Sequence, residues 1–178
     1  MVPLLQYSTA PVVFPPKQGI PFVGMSLVYY ANYGGDTVTR VVCVLKYNST
    51  TNCVTIVDSP GKVQMEVNIT TREIVWSTGF PFVGYVEYWI PTNIELGSHV
   101  RILMYDAVVI ESTELSVCGK TISVWQLQAY YGPGHQDTWY YEKKTGLWVG
   151  AAWILYDADG RVIANWGGHL VSTNVALR

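Results

Sequence analysis

The chain has 178 residues, of which 49% are hydrophobic and 13% charged, and its net charge is −2. This length suits one domain, and the apolar content is enough to fill a core, which argues against a largely disordered chain. Because the eleven basic residues are scattered, the sequence also argues against a nucleic-acid-binding surface.

The first eighteen residues are apolar and proline-rich, and they contain no turn that would let them pair with themselves. We interpret residues 1–18 as an N-terminal arm and residues 19–178 as a single β domain. No charged segment followed by an apolar one begins the chain, so no signal peptide is apparent. The arm is a candidate donor strand, and its apolar residues are Val2, Leu4, Leu5, Tyr7, Val12, Val13 and Phe14.

The energetics of this arm favour strand pairing. Burial of its seven apolar side chains would contribute about 10–20 kcal/mol, and fixing the backbone of the arm costs roughly 12–24 kcal/mol. Main-chain hydrogen bonds at about 1 kcal/mol each would then decide the balance. Effective concentration favours pairing with the chain's own sheet, whereas the stiff Pro15-Pro16 step favours a neighbouring subunit. Repeated donation to neighbours would give a filament.

The next predicted elements are two strands joined by a hairpin turn centred on Asn48. This register places Cys43 opposite Cys53, with Cα atoms about 4.5–5.5 Å apart, within disulfide range. Such a bond indicates an oxidising compartment. The alternative is two reduced cysteines on a buried face. Cys118 is then either a buried small hydrophobe or an intermolecular link.

Two N-glycosylation sequons begin at Asn48 and Asn68, and both fall in predicted turns. Because glycans need exposed loops, these positions favour an extracellular protein carrying N-glycans.

The remaining chain alternates Val, Ile, Tyr, Trp and Thr with Gly, Pro, Asn and Asp, which is typical of strands and turns. Turns are predicted at 143–146 (KKTG) and at 158–160 (ADG). GIPFVGMSLVYY at 19–30 is echoed by GFPFVGYVEYWI at 79–90, as a duplicated unit or as two strands with similar edges. About ten strands are expected. Most connections look short, so the fold class is all-β, an antiparallel meander or β-sandwich with an extended N-terminal arm.

No motif indicates catalysis, a metal site or a cofactor. His99, His135 and His169 are widely separated and share no ligand spacing. Asp157-Ala-Asp159-Gly160 resembles the start of a calcium loop but lacks the acidic residue that completes one. The aromatic residues around the 131–136 loop favour either core packing or a ligand or partner surface, and they are Tyr130, Tyr131, Trp139, Tyr140 and Tyr141.

Two segments carry a family resemblance. WYYEKKTGLWVGAAWILYDADGRV (139–162) and EYWIPTNIELGSHVRI (87–102) resemble stretches of β-rich ectodomains in archaeal secreted and cell-surface proteins of unassigned function. Some of these proteins look like lipoprotein-carrier half-barrels, so the resemblance adds an antiparallel half-barrel as the alternative to a β-sandwich. Others look like subunits of archaeal extracellular threads, in which an N-terminal strand completes the neighbouring subunit.

The resemblance implies a structural subunit of an extracellular, pilus-like filament, a homopolymer assembled head to tail by N-terminal β-strand donation. The alternative is a soluble secreted or cell-surface ectodomain that binds a lipid or other apolar ligand in a β half-barrel. Neither function is enzymatic. The longest apolar run of the second half, 147–156, is too short to span a bilayer, so no transmembrane segment is expected.

Overall fold

A computed structural model describes residues 20–33, 36–59, 62–79, 84–130 and 134–178, without the side chain of Tyr33. The predicted arm and donor strand therefore lie outside the described residues, as does Tyr131. No described residue is helical, and eleven strands are present: β1 Ser26–Tyr33, β2 Asp36–Asn48, β3 Cys53–Ser59, β4 Val63–Asn68, β5 Ile74–Ser77, β6 His99–Ile102, β7 Tyr105–Val117, β8 Lys120–Tyr130, β9 His135–Glu142, β10 Trp148–Tyr156 and β11 Val162–Thr173.

These strands form one antiparallel sheet in the order β5-β4-β3-β2-β1-β11-β10-β9-β8-β7-β6. Two meanders, β1 to β5 and β6 to β11, are joined where the first strand pairs with the last. The predicted all-β class is confirmed, as a single open sheet consistent with a half-barrel. Among the described residues, no helix is long and apolar enough to cross a membrane.

The turns predicted between the last three strands are confirmed. The β9–β10 turn at 143–146 ends on Gly146 at φ +72°, and the β10–β11 turn contains Gly160 at φ +78°. Asp157 accepts backbone hydrogen bonds from Asp159 and Arg161, at 2.9 and 2.8 Å, so the calcium-like sequence serves as a hairpin turn. Local turn chemistry is sufficient to place these hairpins.

The predicted register of Cys43 and Cys53 is wrong. The β2–β3 turn spans 49–52 rather than centring on Asn48, and a register shift lies between Val44 and Lys46. Cys43 therefore lies opposite Val57, four residues from Cys53, which is about 13 Å along the strand. This separation is beyond disulfide reach, and both thiols are free.

The third thiol is also placed differently from its first interpretation. Cys118 is exposed rather than buried, at the tip of the β7–β8 hairpin. Its φ of +49° and that of Gly119 at +75° match a type I′ turn. A role as an intermolecular link stays a prediction.

Both sequon asparagines end a strand and organise the following turn. The Asn48 side chain accepts a hydrogen bond from the Thr50 backbone at 3.0 Å, and the Asn68 side chain accepts one from Thr70 at 2.9 Å. Both therefore lie directly before the turns in which the sequence placed them, and glycan attachment stays a prediction.

The two edges of the sheet meet at a short segment, 84–86. Tyr85 forms an antiparallel bridge to Glu73, just before β5, and another to Leu103, just after β6. The Tyr85 amide donates to the Leu103 carbonyl at 2.8 Å, and the Ile74 amide donates to the Gly84 carbonyl at 2.8 Å. The segment therefore acts as a strand between the two edge strands at this point.

Beyond this bridge the chain enters the protein interior. Val86, Glu87, Tyr88, Trp89 and Ile90 are all at most 4% exposed. The Ile90 amide donates to the Gly146 carbonyl at 2.9 Å, so the segment also contacts the β9–β10 turn. We call residues 86–90 the interior segment. The sequence echo ends at these positions, since 26–33 is a regular strand and 86–90 is not.

Candidate functional site

A buried polar cluster connects the interior segment to β2 and β3. Arg40 lies opposite Tyr29, whose side chain is fully buried, so both face the sheet interior. The Arg40 guanidinium donates to both carboxylate oxygens of Asp58, at 3.0 and 2.8 Å, and to Glu87 at 2.7 Å. It also donates to the Tyr88 hydroxyl at 2.6 Å, which in turn donates to Asp58 at 2.6 Å. The cluster therefore anchors the interior segment to two strands.

The positive charge of Arg40 is stabilised by the neighbouring side chains of the cluster rather than by water. Burial acts to lower the pKa of the Arg40 guanidinium. Tyr88, Glu87 and Asp58 act in the opposite direction and outweigh burial, so this pKa lies well above its ordinary value. Arg40 also lies over the rings of Tyr88 and Trp148, with its Cζ 5.2 and 5.8 Å from their centroids. The Arg40 side chain is therefore permanently charged, and its guanidinium is hydrogen-bonded within the cluster.

A second buried arginine fixes the same segment through its backbone. Arg72 is 6% exposed and donates to the carbonyls of Val86 at 3.4 Å, Trp89 at 2.9 Å and Arg101 at 2.7 Å. Burial lowers the pKa of the Arg72 guanidinium, because no carboxylate bonds to it directly among the described residues. Its hydrogen bonds tie the interior segment to the strand-like bridge between the sheet edges.

Three fully buried tyrosines predict a loss of stability at alkaline pH. Burial raises the pKa values of Tyr29, Tyr88 and Tyr141 well above the ordinary value of 10. Above about pH 10 the unfolded chain therefore loses protons that the folded chain retains. The contribution of these tyrosines to the free energy of unfolding is fully present below pH 10 and is lost as the pH rises further. We expect the urea midpoint to fall between pH 9 and 11, with phenolate absorbance appearing on unfolding.

The control for this experiment is Tyr130→Phe, since Tyr130 is 70% exposed. Its removal is expected to leave the alkaline profile unchanged, whereas Tyr88→Phe reduces the pH dependence. A urea midpoint that stays flat to pH 11 would contradict the argument.

Beside the polar cluster, three small residues lie side by side on neighbouring strands. The cross-strand pairs are Ala31 with Gly168 and Gly168 with Ala151. We call Ala31, Gly168 and Ala151 the small-residue row. It continues the interior face, since Ala31 and Tyr29 are two residues apart on β1. The side chains of this row are short, and Ala31 and Ala151 are 5% and 8% exposed, so we call the row the floor of the candidate site.

Tryptophans border this floor on two sides. Trp153 and Trp166 lie directly opposite each other, each two residues along its strand from a member of the small-residue row. Trp139 lies directly opposite Ala151 on the other side. Trp153 and Trp166 are half-buried, while Trp139 is 1% exposed. We call Trp139, Trp153 and Trp166 the tryptophan wall.

Polar groups border the wall on β9. Asp137 lies opposite Trp153 and is paired with His135 through its Oδ1 at 3.0 Å from Nε2. The His135 ring meets the Trp166 ring edge-on at 6.2 Å. The indole N–H of Trp139 is buried and has no hydrogen-bond partner in the described part of the chain. A buried donor without a partner is uncommon, and it suits a site that receives a ligand acceptor.

The sequence located this site only in part. Of the five aromatic residues around the 131–136 loop, the structure places Trp139 in the wall and Tyr141 in the core, with Tyr130 exposed. His135 is a partly buried member of an ion pair, whereas His99 pairs with Asp106 at the surface at 2.8 Å.

Sequence reasoning missed the charged cluster of Arg40, Asp58 and Glu87. The available signal was a single charged residue at an inward position of an otherwise apolar strand, as at Asp58 in CVTIVDS. Periodicity identifies that position as inward, but it does not identify the partner, which lies far away in the chain.

Comparison with known proteins finds solved structures of similar fold but identifies no family for this chain. No family model and no curated protein matches the chain. MucB in complex with MucA(peri) superposes with a TM-score of 0.44 at 14% identity, covering 85% of this chain and 50% of MucB. MucB alone gives 0.46 at 13% identity. The hypothetical lipoprotein YmcC of Escherichia coli gives 0.41 at 10% identity, covering 85% and 88%. The chain spans about half the length of MucB.

Proposed function

We propose that this protein is a binding protein whose sheet interior receives an apolar ligand, a lipid or a molecule of similar character. The supporting observation is the small-residue row, which the tryptophan wall borders on two sides. Aromatic side chains around a low floor, with a few polar groups at the border, are the usual composition of a small-molecule site. The proposal assigns binding and no catalytic residue. It places the protein outside the cytoplasm, in agreement with the sequons at Asn48 and Asn68.

Filament assembly by strand donation is the less supported function. The donor residues lie outside the described part of the chain, so donation stays a prediction. One place where a donated strand would fit, the gap between β5 and β6, is occupied at Tyr85 by the chain itself. A donor would therefore need another edge of the sheet or would have to displace residues 84–86. The resemblance to thread subunits remains an expectation of the sequence.

A larger side chain at the floor of the candidate site tests the binding proposal. Ala151→Leu places a larger side chain next to the tryptophan wall. It is expected to weaken the binding of N-phenyl-1-naphthylamine, a neutral apolar fluorophore, by about tenfold or more. That loss corresponds to roughly 1.4 kcal/mol. Binding is measured by probe fluorescence on the intact chain, with the urea midpoint recorded for each variant.

The matched control is Ala152→Leu. Ala152 is the next residue of β10, so its side chain points to the opposite face of the sheet. This variant is expected to bind the probe as the unaltered chain does. Equal weakening by both variants, or no binding by the unaltered chain, would contradict the proposed site.

A further inference from the structure

We infer that the protein also binds a neutral polysaccharide, on the side of the sheet that faces away from the small-residue row. The inference goes beyond the proposed apolar ligand and uses none of the residues assigned to it. Because side chains alternate between the two faces of a strand, the sequence neighbours of the inward residues Ala31, Gly168 and Trp139 point outward. We call the outer face every second residue, starting with the first, of five segments: 37–39, 30–32, 165–169, 136–140 and 126–130.

The outer face is free of the usual charged side chains. None of these described residues is Lys, Arg, Asp or Glu, whereas 13% of the whole chain is charged. Glu111, which lies opposite Gln126, marks the border of the outer face on β7. A surface without charge offers no ion pair to a nucleic acid or to an acidic polysaccharide. Charge complementarity therefore favours a neutral ligand.

Amide and hydroxyl groups take the place of charges on the outer face. Gln126, Gln128 and Gln136 lie on the neighbouring strands β8 and β9. The Tyr130 hydroxyl donates to Gln128 at 2.9 Å, and the Gln136 amide donates to Thr138 at 3.4 Å. These bonds hold the side chains in place, and each amide keeps further hydrogen-bonding capacity, since it has two donors and one acceptor. Sugar hydroxyls both donate and accept, so they match this surface.

Tyrosine rings supply the apolar part of the contact. Tyr30 is 47% exposed and lies opposite His169, whose ring it meets edge-on at 6.2 Å. Gly150 separates His169 from Tyr140, so the two tyrosines are three strands apart, which is about 14 Å. The negative face of an aromatic ring attracts the C–H groups of a sugar ring. Two rings at this separation suit a ligand of several sugar units.

A second copy of the chain and a lipid membrane fit the outer face less well. The core of a homodimer interface is about 65% apolar, and binding to a membrane needs a continuous apolar surface. The amides and hydroxyls of the outer face would lose their hydrogen bonds to water against either partner. A polysaccharide replaces those bonds with its own hydroxyls.

Native affinity electrophoresis of the intact chain tests the inference. The gels contain dextran, hydroxyethylcellulose or galactomannan, which are neutral polysaccharides of different linkage, and a further gel contains the anionic polygalacturonate. We expect retardation in at least one neutral gel and none in polygalacturonate. Retardation in none of the neutral gels, or an equal retardation in polygalacturonate, would overturn the inference.

Tyr30→Ala is expected to weaken the retardation about fivefold, since it removes one ring of the outer face. Trp76→Ala is the matched control, because Trp76 is exposed to a similar extent, 49%, but lies on β5, opposite Glu66 and four strands away from β1. This variant is expected to migrate as the unaltered chain does. An equal loss in both variants would show that exposed rings act without regard to their face.

A second pair of variants tests the hydrogen bonds. Gln128→Leu keeps the side-chain size and removes the amide, and it is expected to weaken the retardation several-fold. Gln64→Leu makes the same change on β4, outside the outer face, and is its control. The urea midpoint of each variant shows whether it is folded.

Sedimentation velocity of the same samples tests the alternative occupant. The unaltered chain is expected to sediment as a monomer. A dimer that Tyr30→Ala dissociates, without retardation in the neutral gels, would assign the outer face to a second copy of the chain and overturn the inference.

Discussion

Replacement of Arg40 by methionine is expected to lower the free energy of unfolding by about 3–5 kcal/mol, as is usual when one partner of a buried ion pair is removed. The side chains of Asp58 and Glu87 are 5% exposed and would lose their guanidinium partner without gaining water. Urea unfolding at neutral pH, followed by tryptophan fluorescence, measures the change.

Arg161→Met is the control for this variant, because Arg161 is exposed in the β10–β11 turn and its loss is expected to change stability by no more than about 0.5 kcal/mol. A triple variant, Arg40→Met with Asp58→Asn and Glu87→Gln, should recover part of the loss, since it removes the stranded charges as well. Arg40→Met with a stability within 1 kcal/mol of the unaltered chain would show that the cluster is not a buried network.

Gly84→Ala is expected to destabilise the fold by roughly 3 kcal/mol or more. Gly84 has φ +84°, a conformation that costs an ordinary residue about 1–2 kcal/mol. In addition, a Cβ atom at this position would lie 2.1 Å from the Leu103 carbonyl oxygen, which is itself hydrogen-bonded to Tyr85. The added methyl group must therefore push the 84–86 bridge away from β6.

Gly97→Ala isolates the contribution of this contact. Gly97 has almost the same conformation, φ +83°, but an added Cβ would meet no atom within 4 Å. The difference between the two variants, measured by urea unfolding, is expected to be about 2 kcal/mol and reports the close approach to Leu103 alone. Equal destabilisation would mean that the bridge moves without cost and does not hold the sheet edges together.

These two variants act at opposite ends of one structural unit. The bridge at 84–86 joins the sheet edges, and the polar cluster at Arg40 anchors the interior segment that follows. Together they occupy one part of the sheet interior with the chain's own residues. The small-residue row and the tryptophan wall lie next to this part of the sheet, and the proposed ligand site is assigned there.

The sequence by itself determined the strand-rich class and several turns. Alternating β-branched and aromatic residues specify strands, and Gly146 and Gly160 specify turns, because these signals act within a few residues. The same signals predicted the turns that directly follow Asn48 and Asn68. Short connections predicted an antiparallel meander, which agrees with the observed single sheet, whereas the half-barrel was an implication of the family resemblance.

Only the tertiary structure decided how these elements combine. A longer turn and one register shift moved Cys43 opposite Val57, and no local signal in the sequence marks either change. The pairing of β1 with β11, the burial of residues 86–90 and the row formed by Ala31, Gly168 and Ala151 join residues far apart in the chain. Such arrangements depend on the packing of the whole sheet, because the energy of any one contact is too small to select a partner across a hundred residues.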